Sequence, residues 1–178
     1  AVFASKGIHV LGVDTSEKVV NSVNSALLEF TEPGLKKKIN EYVSQNLISA
    51  FGHPQESEVF IITVPTPIIK NESKKLPEPD LSFIWDAADE LSKVLKQGDL
   101  VILESTSPVG TTNKVAEIIF ERTGLDSKDI HIAYCPERVI PGNILYELVE
   151  NDRVIGGYTS EASQKAKTFY STFCNGKL

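Results

Sequence analysis

The chain has 178 residues, 18 basic and 24 acidic side chains and a net charge of −6, a length that suits one domain or one domain plus part of another. Hydrophobic residues at 41% and charged residues at 24% fall in the globular range and not the disordered one. The acidic balance argues against nucleic acid or an anionic membrane as partner, no apolar run approaches the ~18 residues of a bilayer span, and no secretory signal pattern is visible.

Residues 1–7 read as the last turns of a helix closed by Gly7 in the left-handed conformation, so the chain is expected to begin inside an element. Residues 8–13 form a short β-type run ending at Asp14. Ser16 then opens an amphipathic stretch with Val19, Val20, Val23, Ala26 and Leu27 at helical spacing. Pro33-Gly34 punctuates, and residues 35–43 predict a second short helix. Residues 59–64 predict a buried strand stopped by Pro65-Thr66-Pro67. The stretch 68–80 is polar and proline-bearing, an exposed loop by composition. Leu81, Ile84, Trp85, Ala88, Leu91, Val94 and Leu95 make one helical face, which Gly98-Asp99 is expected to end. Strands are then expected at 100–103, 130–134 and 153–156, and helices at 111–122 and 161–173. Strands alternating with helices predict an α/β fold, a doubly wound parallel sheet covered on both faces. No repeat or linker divides the chain, so residues 1–178 are expected to form one domain.

Four places carry candidate chemistry. Asp14 ends a strand before a helix, where an acid either accepts hydrogen bonds from an adenosine ribose, favouring NAD over NADP, or helps cap the helix. The matching glycine fingerprint would lie roughly 20 residues upstream, and no G-x-G-x-x-G occurs in the sequence. Val64, Pro65 and Thr66 follow a second strand, and residues 104–112 (Glu-Ser-Thr-Ser-Pro-Val-Gly-Thr-Thr) follow a third. Ligands lie outside strand ends of this kind, and the hydroxyls with a helix N-terminus suit an anion or an ordered water, although plain turn and cap chemistry gives the same pattern. Glu137 and Arg138 sit side by side on a proline-stiffened loop after a fourth strand, either a base and an anion binder or a surface ion pair. Cys135 and Cys174 make no disulfide framework, so a reducing, cytoplasmic setting and buried thiols are expected. His9, His53 and His131 lack metal-ligand spacing, and core packing is the expectation for those in or beside strands. Asn71-Glu72-Ser73 fits a glycosylation sequon by pattern alone.

Taken together, residues 63–67 (Thr-Val-Pro-Thr-Pro), 78–81 (Glu-Pro-Asp-Leu), 104–112 and 135–142 (Cys-Pro-Glu-Arg-Val-Ile-Pro-Gly) resemble the UDP-glucose/GDP-mannose dehydrogenase family. With residues 147–149 and 151–157, the last segment most resembles its N-acetylmannosamine branch. The resemblance implies a Rossmann-like domain of an enzyme that oxidises the C6 alcohol of a UDP-sugar to the uronic acid in two hydride transfers to NAD, for cell-surface polysaccharide. A cysteine would hold the aldehyde-level carbon and become a thioester that water hydrolyses. By the same resemblance Asp14, Val64, Pro65, Thr66 and Thr106 are cofactor-binding. Thr106 and Glu137 are catalytic through the attacking water, and Glu137, Arg138 and Val139 meet the nucleotide sugar.

The departures are as informative. The family nucleophile sits in a glycine-rich G-x-G-G-x-C setting, which neither Cys135 nor Cys174 has. The family's catalytic lysine and asparagine are also missing. The expectation is therefore an N-terminal cofactor domain without its first strand and glycine loop, inactive alone, whose parent dimerises through a central region. A non-catalytic truncated nucleotide-binding module, a UDP-glucose or UDP-N-acetylglucosamine/galactosamine 6-dehydrogenase, and a hydroxyacid- or phosphogluconate-type dehydrogenase are the competing readings. With the first strand outside the chain, the strands at 8–14 and 59–64 should each lack a neighbour on one side.

Overall fold

A computed structural model describes residues 1–27, 32–69 and 77–178. In chain order it contains a 3-10 turn (Ala4–Lys6), β1 (Val10–Val13), α1 (Glu17–Asn24), α2 (Leu35–Ser44), β2 (Ile48–Phe51), β3 (Val59–Ile62), β4 (Ile68–Ile69) and β5 (Glu78–Pro79). There follow α3 (Ser82–Leu91), β6 (Leu100–Leu103), α4 (Thr111–Thr123), β7 (His131–Tyr134), α5 (Ile144–Glu150), β8 (Gly156–Gly157) and α6 (Ser160–Tyr170). These elements fall into two compact units, one of residues 1–55, 138–153 and 170–178, the other of residues 56–137 and 154–169. No helix among the described residues is long and apolar enough to cross a membrane.

In the first unit β1 and β2 pair in parallel, Val10 opposite Ile48 and Val13 opposite Phe51. Among the described residues β1 is laddered along one edge only, to β2. Gly7 closes the opening turn at φ 77°, its N–H donating to the Ala4 carbonyl, as the sequence predicts. Strand β2 was not anticipated. Its outer backbone is met by Asn24, whose side-chain amide donates to the Ala50 carbonyl at 2.9 Å and accepts the Ala50 N–H at 2.8 Å, as a neighbouring strand would. One small core cluster here has Ala4, Ile39 and Ile48 buried against Val10, Val23, Tyr42 and Val43, and Tyr170 and Phe173 of the same unit are buried as well. Helix α5 was also not anticipated. Of the expected strand at 153–156 only Gly156 is in a strand, as the first residue of β8. Arg153 is instead buried with its guanidinium 4.7 Å above the Tyr170 ring and 5.6 Å from Phe173, and its N–H donates to the Lys177 carbonyl.

The second unit is built on a sheet ordered β3-β6-β7-β8. β3, β6 and β7 are parallel, with Val59 opposite Leu100 and Leu100 opposite His131. The expected parallel α/β sheet is found, with the short edge strand β8 as its one antiparallel member among the described residues, paired to β7. Gly157 is required there, because a Cβ would lie 2.3 Å from the Ser163 nitrogen, while its own N–H donates to Ser163 Oγ. All four residues of central β6 are buried, which is why its sequence is an unbroken apolar run. β3 alternates and is laddered along one edge only, to β6, among the described residues. Ile84, Val101, Leu103, Val115 and Ile119 form the centre of a continuous core. Helix α3 ends at Leu91, well before the expected Gly98, because the Val94 and Leu95 N–H groups both donate to the Leu91 carbonyl and tighten the chain into a turn. Both residues still pack on the core. Within the expected loop 68–80, Ile68–Ile69 pair with Glu78–Pro79. The Asn71-Glu72-Ser73 pattern lies outside the described residues. Both cysteines are buried and neither is in a disulfide. Of the histidines only His131 is buried; His9 precedes β1 on an open face and is exposed, as is His53.

Candidate functional site

Parallel strands bring their carboxyl ends to one edge, and in the second unit that edge collects three of the predicted loops. They are tied by backbone. The Glu104 and Ser105 N–H groups donate to the Ile62 carbonyl at 3.0 and 3.2 Å, the Cys135 N–H to Leu103 at 3.0 Å, and the Glu137 N–H to Glu104 at 3.2 Å. The β3, β6 and β7 loops are therefore fixed to one another before any side chain is counted. Val64 and Thr66 are half-buried, Pro65 and Thr106 are exposed, and Glu137 is half-buried. Cys135, two residues before Glu137, is fully buried and unsuited to attack on a substrate.

Ser105 belongs to the 104–112 segment, whose hydroxyls are expected to suit an anion or an ordered water, but it serves the frame instead. Its buried hydroxyl donates to the Val64 carbonyl at 2.7 Å, joining the Val64–Pro65–Thr66 turn to the Thr106 loop. A serine between Glu104 and Thr106 reads as one more turn hydroxyl, and only its inward direction marks the difference. The hydroxyl of Thr111 is likewise committed, donating to the Pro108 carbonyl at 2.8 Å. The α4 N-terminus starts from Gly110 at φ 93° with no side-chain cap. Asp80, within the Glu-Pro-Asp-Leu segment, accepts the Ser82 N–H at 2.9 Å and the Ser82 hydroxyl at 2.6 Å. Those two bonds hold its carboxyl below its ordinary value of 3.8, so this motif residue starts α3.

In the first unit Asp14 stands at the carboxyl end of β1, exposed, with its N–H donating to the Phe51 carbonyl. One carboxylate oxygen accepts the Ser16 N–H at 2.8 Å, so part of its role is to shape the turn into α1. A carboxylate has further acceptor capacity beyond one such bond. Arg138 is exposed and lines a polar hollow with Glu150, Asn151 and Asp152, and Val139 beside it is half-buried. Glu32, not singled out from sequence, and Glu147, quoted there only within the 147–149 segment, hold the loop that follows. Glu32 accepts the Gly142 and Ile144 N–H groups, and Glu147 accepts that of Ile140.

The remaining buried polar groups of the second unit lie at the amino end of its sheet. His131 is nearly fully buried, and burial, followed by the nearby Lys165 charge, holds its imidazole below 6.5. Burial chiefly raises the Asp99 carboxyl above 3.8, although its side chain accepts the Lys96 N–H at 2.9 Å.

Residues 1–174 match the NAD binding domain of the UDP-glucose/GDP-mannose dehydrogenase family. The chain is 43% identical over 185 residues to a UDP-N-acetyl-D-mannosamine dehydrogenase of Campylobacter jejuni, covering 99% of this chain and 44% of the relative. It is 41% identical over 184 residues to an NDP-N-acetyl-D-galactosaminuronic acid dehydrogenase of Ralstonia nicotianae, covering 99% of this chain and 42% of the relative. A solved UDP-D-ManNAc dehydrogenase of Pyrococcus horikoshii superposes with a TM-score of 0.91 at 37% identity, over 99% of this chain and 42% of that one. The chain thus spans less than half the length of these relatives. It belongs to the UDP-glucose/GDP-mannose dehydrogenase family, as a Rossmann-fold NAD-binding domain.

Proposed function

From its place in that family we propose that this chain is the cofactor domain of a longer NAD-dependent enzyme that oxidises the C6 alcohol of UDP-N-acetyl-D-mannosamine to the uronic acid. The observation that carries the reading is the backbone-tied edge on which the Val64, Thr106 and Glu137 loops meet. Glu137 acts as the base that takes a proton from the attacking water, and the Thr106 hydroxyl orients that water. Arg138 binds the diphosphate of the sugar nucleotide, with Val139 packing beside it. NAD, when bound, supplies the hydride acceptor for both oxidation steps. The residues present fit it: Asp14 is an exposed carboxylate with acceptor capacity for ribose hydroxyls, and the Val64, Pro65 and Thr66 turn with Thr106 would line its nicotinamide side. An acid at position 14 also repels a 2′-phosphate, which favours NAD over NADP.

With Cys135 and Cys174 both buried, the nucleophile is not among the residues of this chain, and residues 1–178 alone are expected to give no turnover. The Ralstonia relative at 41% identity favours a second substrate reading, the corresponding N-acetylgalactosamine nucleotide. NADH formation by the full-length protein, measured with UDP-N-acetylmannosamine, UDP-N-acetylgalactosamine and UDP-glucose, decides between them. The mannosamine sugar is expected to give the highest kcat/KM. Faster turnover of the galactosamine sugar installs the second reading, and no NADH with any nucleotide sugar leaves a non-catalytic nucleotide-binding module.

A further inference from the structure

We infer that Glu32 is a positioning residue for the substrate-facing loop, clamping the backbone just beyond Arg138 and Val139. The inference rests on the nucleotide-sugar reading of those two residues. Glu32 lies in the Glu-Pro-Gly turn before α2, where Gly34 takes φ 76°. Its Oε2 accepts the Gly142 N–H at 2.8 Å and its Oε1 accepts the Ile144 N–H at 2.7 Å. Both carboxylate oxygens therefore grip one loop from more than a hundred residues away in sequence.

Local chemistry leaves that grip to Glu32. Ile144 is the first residue of α5, and its N–H has no acceptor within the helix. Asn143 occupies the N-cap position but makes no side-chain capping bond. Glu147, in the first turn, reaches back to the Ile140 N–H at 2.9 Å. The alternate amides of residues 140, 142 and 144 are thus all given to carboxylates. Gly142 bends the loop at φ 99°, and Ile140 is 67% exposed, so no apolar anchor at that position replaces the polar ties. Hydrogen bonds from N–H to a carboxylate are about twice as strong as neutral ones. Releasing them frees the segment that begins at Arg138.

The test combines amide hydrogen exchange with steady-state kinetics on the full-length protein, as wild type, Glu32→Gln and Glu32→Ala. In Glu32→Ala the Gly142 and Ile144 amides should exchange about tenfold faster or more, the loss of one charge-assisted hydrogen bond each. The KM for the nucleotide sugar should rise about tenfold while the KM for NAD stays within about twofold. Glu32→Gln keeps one acceptor oxygen and should fall between the two, and it carries the test if the alanine variant does not fold. Unchanged exchange at both amides, or a KM for NAD that rises as much as that for the sugar, overturns the inference. A wild type without dehydrogenase activity overturns the functional reading instead, and the exchange measurement then decides the clamp by itself.

Discussion

In the unit built on β3, β6, β7 and β8, Ile84, Val101, Leu103, Val115 and Ile119 are all at 0% exposure, and the loops at its carboxyl edge are fixed by backbone bonds and one buried hydroxyl. The unit built on β1 and β2 buries the smaller cluster of Ala4, Ile39 and Ile48, together with Tyr170 and Phe173, which flank the buried Arg153. It relies on side chains that hydrogen-bond to backbone: Asn24 to Ala50, Glu32 to Gly142 and Ile144, Glu147 to Ile140, and Asp152 to the Lys177 N–H. The proposed water-activating pair, Thr106 and Glu137, stands on the apolar, ladder-held unit. Asp14, Arg138 and Val139, proposed to meet the ribose and the sugar nucleotide, stand on the unit assembled from polar ties, while the Val64–Pro65–Thr66 turn proposed for the nicotinamide side shares the frame of Thr106 and Glu137. Such a division lets recognition be altered one polar side chain at a time while the chemistry stays on a stiff frame.

The largest effect expected from this division is on rate. Glu137→Gln in the full-length enzyme should lower kcat by about 10²–10⁴, the usual worth of a positioned base, with the KM for the sugar changed little. Arg138→Ala should do the reverse, raising that KM several-fold with kcat held within about threefold. A kcat collapse in both variants would erase the distinction between chemical and recognition residues.

Next in size is core stability. Ile132→Ala, at 1% exposure on β7, should destabilise by about 3–5 kcal/mol, because the surrounding core cannot collapse into the space. Ile48→Ala, at 6% exposure on β2, should cost about 2 kcal/mol, nearer the low end of the same range. Urea unfolding of residues 1–178 measures both. Equal losses would mean that the small core is as tightly packed as the large one.

The same contrast explains what the sequence makes legible. The run Leu100–Leu103 announces a buried strand because all four side chains are buried. Helix α4 falls within a residue of expectation because Gly110 and Gly124, both at positive φ, bracket it. β2 escapes notice because Ile48-Ser49-Ala50-Phe51 offers only two large apolar residues, and its outer edge is completed by Asn24 from another element. α5 escapes because its cap is Glu32 rather than its own Asn143. β8 is a pair of glycines displaced from the expected 153–156, and the contact that holds Gly157 to Ser163 is one no local pattern encodes. At the candidate site, Val64, Thr106 and Glu137 are readable as residues that follow strands. Ser105 and Glu32 are not, because their value lies in a carbonyl or an N–H supplied by a distant part of the chain.

A smaller effect belongs to Ser105. Replacing it by Ala removes the hydroxyl that donates to the Val64 carbonyl and should cost about 1–2 kcal/mol, the range for leaving a buried acceptor unmet. In the full-length enzyme the KM for NAD should rise more than that for the sugar, since the Val64–Pro65–Thr66 turn loses its tie. The opposite ranking would place that turn outside the cofactor site.

The smallest expected effect tests what the apolar unit tolerates at the end of its sheet away from Glu137. His131 is 2% exposed, its Nδ1 has no hydrogen-bond partner among the described residues, and Glu161 lies 4.0 Å from its Nε2. Burial and then Lys165 lower its pKa below 6.5, while Glu161 opposes them weakly. In the unfolded chain the imidazole takes up a proton as pH falls through 6.5, and in the folded chain it does so only at lower pH. The unfolded state therefore binds more protons across that window, and linkage requires stability to fall with pH there. The stabilisation is complete above 6.5 and is lost as pH drops through the folded value. His131→Leu should remove that dependence and, by eliminating an unmet polar atom, keep or raise stability at pH 8. Asp99, whose carboxyl is raised by burial, contributes a slope of opposite sign at lower pH, and it cancels in the difference between wild type and variant. Urea midpoints of both proteins from pH 8 to pH 5 should diverge below about pH 6.5, with the wild type falling faster. Parallel curves would mean that the imidazole is protonated as readily in the fold as in water, and that the apolar unit admits a charge at its amino edge.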